Sequence, residues 1–292
     1  MSSPFSKLGL GTAQFGLDYG VSNTRGCTPP AEVADILHRA AEARVGVLDT
    51  APAYGEAQAV LGAALPRPCP FLITTKVSRQ ADVDALEAQA RASLEQLDIP
   101  AAYAVLVHSA ADLEGKAGVE LWARLRRLQA KGLFRKIGIS AYASDDPVRL
   151  ARRWKPDLMQ LPVSLLDQRL IAEGALARLN DMGVEIHLRS IFLQGLLFLP
   201  PDRLPERLAS AGRRLADIRL QIAAAGSDPL TAALHFALAR PEASAVIVGV
   251  TSSQELEAML RAAAEPAPDL DWPDLRLDHP LALDPHRWSL AA

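Results

Sequence analysis

Cysteine is almost missing from this chain, with only Cys27 and Cys69 among 292 residues. Neither belongs to a CxxC pair, which argues against a structural zinc site or a disulfide framework. No basic stripe is present either. Net charge is −3 with acids and bases interspersed, so a nucleic-acid partner is not expected. No apolar run reaches the roughly 18–20 residues of a membrane span. The segment 1–7 lacks the charged and then apolar regions of a signal peptide. The expected setting is therefore a reducing cytoplasm, with no membrane partner. Oligomeric state is not readable from the residues.

What the chain does have is apolar mass, 49% of its residues. That suffices for one large α/β barrel or two smaller domains. Eight apolar stretches read as strands: 8–12, 45–50, 71–77, 104–108, 136–140, 158–162, 184–190 and 245–249. Their continuous apolar character suits parallel strands covered on the outside better than a half-wet sheet. Amphipathic helical patterns lie between them. Thr28 followed by Pro29 reads as an N-cap with proline at the first helical position. Val33, Ile36, Leu37 and Ala40 then share one face. The same spacing recurs over 83–97, through Leu121, Leu125 and Leu128, and over 230–239 and 255–264. Strand–helix alternation of this length predicts a (β/α)8 TIM barrel, with a doubly wound open sheet as the alternative. No linker interrupts it, so residues 1–292 are expected to form one barrel domain with 265–292 as a C-terminal tail. A loop at 17–28, an insertion at 196–226 that turns helical from about 205, and the tail depart from plain alternation. Each could cover a substrate, and the tail could equally be a packing strap.

The chemistry-bearing residues sit where strands finish. Val47-Leu48-Asp49 runs into Thr50-Ala51-Pro52-Ala53-Tyr54-Gly55, the third strand ends near Lys76, and the fourth runs into His108. In a parallel barrel those ends converge on one mouth. Singly, each residue has an ordinary reading: Asp49 as a turn cap, Tyr54 as packing, Lys76 as a solvated charge, His108 as a hydrogen-bonded structural histidine. Together they form a proton-handling set. A phenol, with a pKa of about 10 when unperturbed, is a poor acid alone, and a neighbouring ammonium favours its phenolate. Lys76 can supply that ammonium, Asp49 can hold Lys76, and a neutral His108 can orient a carbonyl oxygen. No side chain is an obvious nucleophile, and a hydride from a nicotinamide fills that gap. A different enzyme on the same barrel, a lyase or aldolase forming a Schiff base on Lys76, is the rival reading. It leaves Asp49 and Tyr54 without a purpose.

Other motifs fail. Gly9, Gly11 and Gly16 begin a dinucleotide fingerprint, but Gln14 stands where its third glycine belongs. Gly138-Ile139-Ser140-Ala141-Tyr142 ends in tyrosine, so it is no nucleophile elbow. His187 and His235 have no ligand partners at metal spacing and read as structural.

Over roughly residues 7–264 the chain resembles the aldo-keto reductases. The resemblance rests on Leu8-Gly9-Leu10-Gly11-Thr12, on Asp49-Thr50-Ala51 followed by Tyr54-Gly55, on Lys76 and His108 at their strand ends, on Gly138-Ile139-Ser140, and on Gln160. It implies NAD(P)H-dependent reduction of an aldehyde or ketone, or the reverse reaction, on a small-molecule carbonyl substrate. Tyr54 would be the general acid, tuned by Lys76 and Asp49, with His108 positioning the carbonyl. Ser140 and Gln160 would bond the nicotinamide carboxamide, and Thr12 and Asp49 would lie beside them. Arg189 falls under the nicotinamide ring, where many relatives carry an aromatic. The segment with Ser190, Phe192, Gln194 and Gly195 would cradle the pyrophosphate. Gly249, Thr251, Ser252, Ser253, Glu255 and Met259 would meet the adenosine.

This sequence departs from the family at three points: Ala141 replaces a frequent Asn, Thr251 stands near the usual Arg or Lys, and Met259 replaces an adenine-side Asn. Ser252 and Glu255 read as a capping box whose helix N-terminus could take a 2′-phosphate. NADP(H) is the cofactor this resemblance favours, with NAD(H) as competitor. Because some relatives bind the cofactor as regulatory subunits, a binding role without turnover is a further alternative.

Overall fold

A computed structural model describes residues 7–80, 83–200, 203–285 and 288 of the chain. Eight parallel strands close into a barrel in sequence order. They are β1 (Leu8–Gly11), β2 (Val47–Asp49), β3 (Leu72–Val77), β4 (Ala102–Val107), β5 (Phe134–Ser140), β6 (Leu158–Pro162), β7 (Glu185–Arg189) and β8 (Ala243–Gly249). Closure is direct: β1 pairs with β8 from Leu8↔Val246 to Gly11↔Gly249. This excludes the doubly wound open sheet.

Helices follow the strands as α1 (Pro30–Glu42), α2 (Ala57–Ala64), α3 (Val83–Gln96), α4 (Gly115–Ala130), α5 (Pro147–Trp154), α6 (Arg169–Ala172), α7 (Ala175–Asp181), α8 (Gly212–Ala224), α9 (Pro229–Leu238) and α10 (Ser253–Ala264). The main core lies between this helical ring and the outer barrel face. Val33, Ile36, Leu37 and Ala40 of α1 are fully buried there, as their spacing requires. Two small clusters fill the barrel itself. One joins Val47 to Ala245 and Ile247. The other joins Ala104 and Leu106 to Leu158. In each, the strands are not hydrogen-bonded neighbours, so their side chains meet across the interior, as the layered core of such barrels demands.

The first helix starts later than its sequence suggests. Pro29 is the N-cap and Pro30 occupies the first turn. Thr28 does not cap, and its buried hydroxyl has no hydrogen-bond partner. Two consecutive prolines remove the first two N–H groups beyond Thr28, leaving only that of Ala31 for a cap to use.

The described part of the tail packs against the barrel. Leu277 N–H donates to the Leu166 carbonyl at 2.9 Å, and the Gln168 amide donates to the Trp272 carbonyl at 2.6 Å. Arg169 ties Asp167 to Asp284. These contacts bind the described part of the tail to the loop after β6, and none of the residues that make them lines the cavity described below. Among the described residues no helix is long and apolar enough to cross a membrane.

Candidate active site

The four strand-end residues meet. Lys76, 1% exposed, places Nζ 2.6 Å from Asp49 Oδ2, 3.2 Å from the Thr50 carbonyl oxygen and 3.2 Å from the Tyr54 hydroxyl oxygen. Lysine donates in all three contacts, which leaves the phenolic proton free to be donated elsewhere. Burial by itself would push the Lys76 ammonium toward neutrality. The Asp49 carboxylate and the Tyr54 oxygen offset this, and its pKa stands above the ordinary lysine value. His108 follows β4 directly, and its backbone N–H donates to the Val77 carbonyl at 2.8 Å. Its ring meets that of Tyr54 edge-on, with centroids 6.0 Å apart. Burial first, and then the nearby Lys76 ammonium, push the imidazole down to about 4. It is therefore neutral near pH 7 and can donate one hydrogen bond.

Tyr54 is placed by backbone. Its N–H donates to Ala51, and Ala57 N–H donates to its carbonyl. Gly55 takes a positive φ of 57°, which glycine tolerates without strain. Gly16, from the segment after β1, presses against this turn. A methyl on it would sit 1.9 Å from the Tyr54 carbonyl oxygen and 2.6 Å from Ala57 N. The loop carrying the phenol thus depends on a bare backbone opposite.

A cavity of about 650 Å³ opens over these groups. Of the residues expected there, Asp49, Tyr54, Lys76, His108, Ser140, Gln160, Arg189, Ser190, Phe192, Gln194, Gly195, Gly249, Thr251, Glu255 and Met259 line it. Thr12, Ser252 and Ser253 do not. The Thr12 hydroxyl donates to the Asp49 carbonyl oxygen at 3.1 Å and ties β1 to the end of β2. Ser252 accepts from the Glu255 N–H at 3.2 Å, and the Ser253 N–H donates to Glu32 at 2.6 Å. Both act at the start of α10.

Gln160 has a use its sequence position did not reveal. Its amide donates to Asp49 Oδ1 at 2.7 Å, so the two oxygens of Asp49 are shared between Gln160 and Lys76. Arg189 lays its guanidinium over the Tyr142 ring at 4.4 Å and donates to the Ala141 carbonyl. Its planar group faces an aromatic surface, as guanidinium stacking permits.

The loop after β7 is wound unusually. Ser190, Leu193 and Gln194 all have positive φ, and Gly195 follows at 92°. Three non-glycine residues in that region are costly and persist only where surroundings impose them. Arg219 of α8 braces the loop by donating to the Leu197 carbonyl at 3.0 Å and to that of Leu199. The segment after β1 crosses to it: Val21 N–H donates to the Gln194 carbonyl at 3.0 Å. A methyl on Gly195 would lie 1.9 Å from Ser22 Oγ. This crossing adds Tyr19, Ser22, Asn23 and Arg25 to the cavity wall, together with Gln14, Tyr142 and Phe198. Sequence spacing could not supply them, because contact between the loops after β1 and β7 is decided by closure of the barrel.

The residues suit an extended dinucleotide. One continuous cavity runs from the phenol past the β7 loop to the first turns of α10, and glycines at 195 and 249 leave its backbone bare where side chains would clash. The model of the aldo/keto reductase family matches residues 7–276. The chain belongs to that family. The barrel is shared with solved structures of low sequence identity. A Pseudomonas aeruginosa protein assigned as an aldo-keto reductase is 24% identical with a TM-score of 0.66, over 88% of this chain and 89% of that one. The aldo-keto reductase AKR11C1 of Bacillus halodurans, in its holo form, is 20% identical with a TM-score of 0.73, over 92% and 90%. No curated protein matches the chain. As a family member this is an oxidoreductase of carbonyl compounds.

Proposed function

We propose that this oxidoreductase reduces an aldehyde or ketone to its alcohol, or runs the reverse, with Tyr54 as general acid and a nicotinamide cofactor as partner. The observation that carries the reading is the lysine ammonium 3.2 Å from the Tyr54 oxygen and 2.6 Å from Asp49. When bound, a dihydronicotinamide supplies the hydride. The chain handles the proton.

As negative charge grows on a carbonyl oxygen held at the mouth, the Tyr54 hydroxyl donates its proton to it. The charge left on the phenol oxygen is stabilised by the Lys76 ammonium, whose own charge is held by Asp49. These groups are fixed before reaction, which is where electrostatic stabilisation is most effective. Gln160 and the Thr50 carbonyl keep Asp49 and Lys76 in place. The neutral His108 donates to the carbonyl oxygen and orients it toward Tyr54. Ser140 and Gln160, which line the cavity, would hold the carboxamide, and Arg189 would lie against the nicotinamide ring. The buried ion pair works against the Schiff-base alternative, since an amine held as ammonium is no nucleophile. Family resemblance favours NADP(H), whereas the residues at the adenosine end favour NAD(H).

The test is a panel of small aldehydes, sugars and bulkier ketones assayed by carbonyl-dependent oxidation of NADH and NADPH. Turnover of at least one carbonyl is expected. Tight cofactor binding with no turnover across the panel would instead favour a regulatory role.

A further inference from the structure

We infer that this chain selects NAD(H) over NADP(H), and that Glu255 is the residue that rejects the adenosine 2′-phosphate. The inference rests on the cofactor-dependent reading above. The N-terminus of a helix offers unpaired N–H groups and a positive dipole end, and so attracts a phosphate. At the start of α10 two carboxylates and the N-cap hydroxyl of the chain itself already occupy three of the N–H groups a phosphate would seek, those of Thr251, Ser253 and Glu255. The Thr251 N–H donates to Glu255 Oε2 at 2.6 Å and its hydroxyl to Oε1 at 3.0 Å. Glu32 of α1 reaches across to accept from the Ser253 N–H at 2.6 Å, and Ser252 Oγ takes the Glu255 N–H.

The arrangement is therefore not a simple capping box. In that motif the glutamate returns to the N-cap N–H; here it reaches one residue further back, to Thr251. This leaves the Glu255 carboxylate in the wall of the same cavity that holds Tyr54, beside Thr251 and Met259. A phosphate dianion there would meet a like charge and would have to displace it to gain the Thr251 N–H, an unfavourable exchange at short range. A ribose 2′-hydroxyl needs no displacement, because a carboxylate accepts its hydrogen bond, the usual means of choosing NAD. Arg25, from the segment after β1, lines the same cavity. It is exposed, and its backbone N–H is tied to the side chain of Asn23 at 2.9 Å. Glu255 is exposed as well, but both of its carboxylate oxygens are held by Thr251, so the fixed charge on this wall is negative.

Equilibrium binding by titration calorimetry, with NADH and NADPH as probes and without any carbonyl, tests this. Wild type is expected to bind NADH at least tenfold more tightly. Glu255→Gln retains an acceptor for Thr251 and should narrow the ratio at least tenfold, mainly by tightening NADPH. NADPH binding as tight as NADH in wild type, or a ratio unmoved by Glu255→Gln, would overturn the assignment while leaving the reductase reading intact. If wild type binds neither dinucleotide, the reductase reading itself falls and this inference with it.

Discussion

Replacing Lys76 by Met should separate two jobs that one ammonium performs. The side chain is fully buried, and methionine fills much of the same space without charge. Its loss strands the Asp49 carboxylate, which keeps only the Gln160 amide at 2.7 Å as a side-chain donor. Removing one partner of a buried ion pair costs about 3–5 kcal/mol because the other charge is left uncompensated. With Gln160 still in place the loss should lie near the lower end, about 3 kcal/mol. Neutralising the stranded group should then restore stability: Asp49→Asn combined with Lys76→Met is expected to recover about 1.5 kcal/mol or more, the coupling typical of residues in direct contact. Turnover should not recover. Both variants lack the donor 3.2 Å from the Tyr54 oxygen, and losing one such donor costs on the order of 10²–10³ in kcat. Urea unfolding and steady-state kinetics on the two single variants and the double complete the cycle. Stability unchanged between Lys76→Met and the double variant, or turnover returning along with stability, would refute the reasoning.

Gly16→Ala should cut kcat at least about tenfold, with a stability loss of about 1–3 kcal/mol from overpacking. Its methyl has to displace the turn that carries Tyr54, and kinetics beside urea unfolding checks this. His108 gives a pH signature. Its folded pKa is depressed to about 4, so between about pH 6.5 and pH 4 the unfolded chain binds a proton that the folded ring refuses. Its contribution to stability is therefore full above that window and is lost as pH falls through it, by up to about 3 kcal/mol. Unfolding at pH 7 and pH 4.5 should show a shallower fall in His108→Gln than in wild type.

Much of this was legible in the residues because barrel chemistry is local to strand ends. Asp49, Lys76 and His108 each end or follow a buried apolar run, and parallel closure brings such ends together whatever lies between. The β6 strand matches its expected span, and the other strands differ by a residue or two at their ends, where helix and strand limits are least well marked by pattern. What escaped was decided by contacts between distant segments. Thr12 and Ser253 sit at the expected places but turn their polar groups into the protein, to Asp49 and Glu32. Nothing in a linear pattern says which way a hydroxyl or an N–H points. Glu255 reads as a capping residue from spacing alone. Only its placement in the cavity wall reveals a charge facing the ligand path. The tail is equally readable as a cover or a strap in the residues; in the structure Arg169 pairs with Asp284 of its described part, a contact no spacing announced.

The proton donor can be tested most directly with Tyr54→Phe. Calorimetric titration with the preferred dinucleotide, followed by turnover of a carbonyl that wild type reduces, should give a dissociation constant within about threefold of wild type and kcat lower by at least about 10³. Carbonyl reduction within about tenfold of wild type by that variant would contradict the assignment of the phenol as the acid.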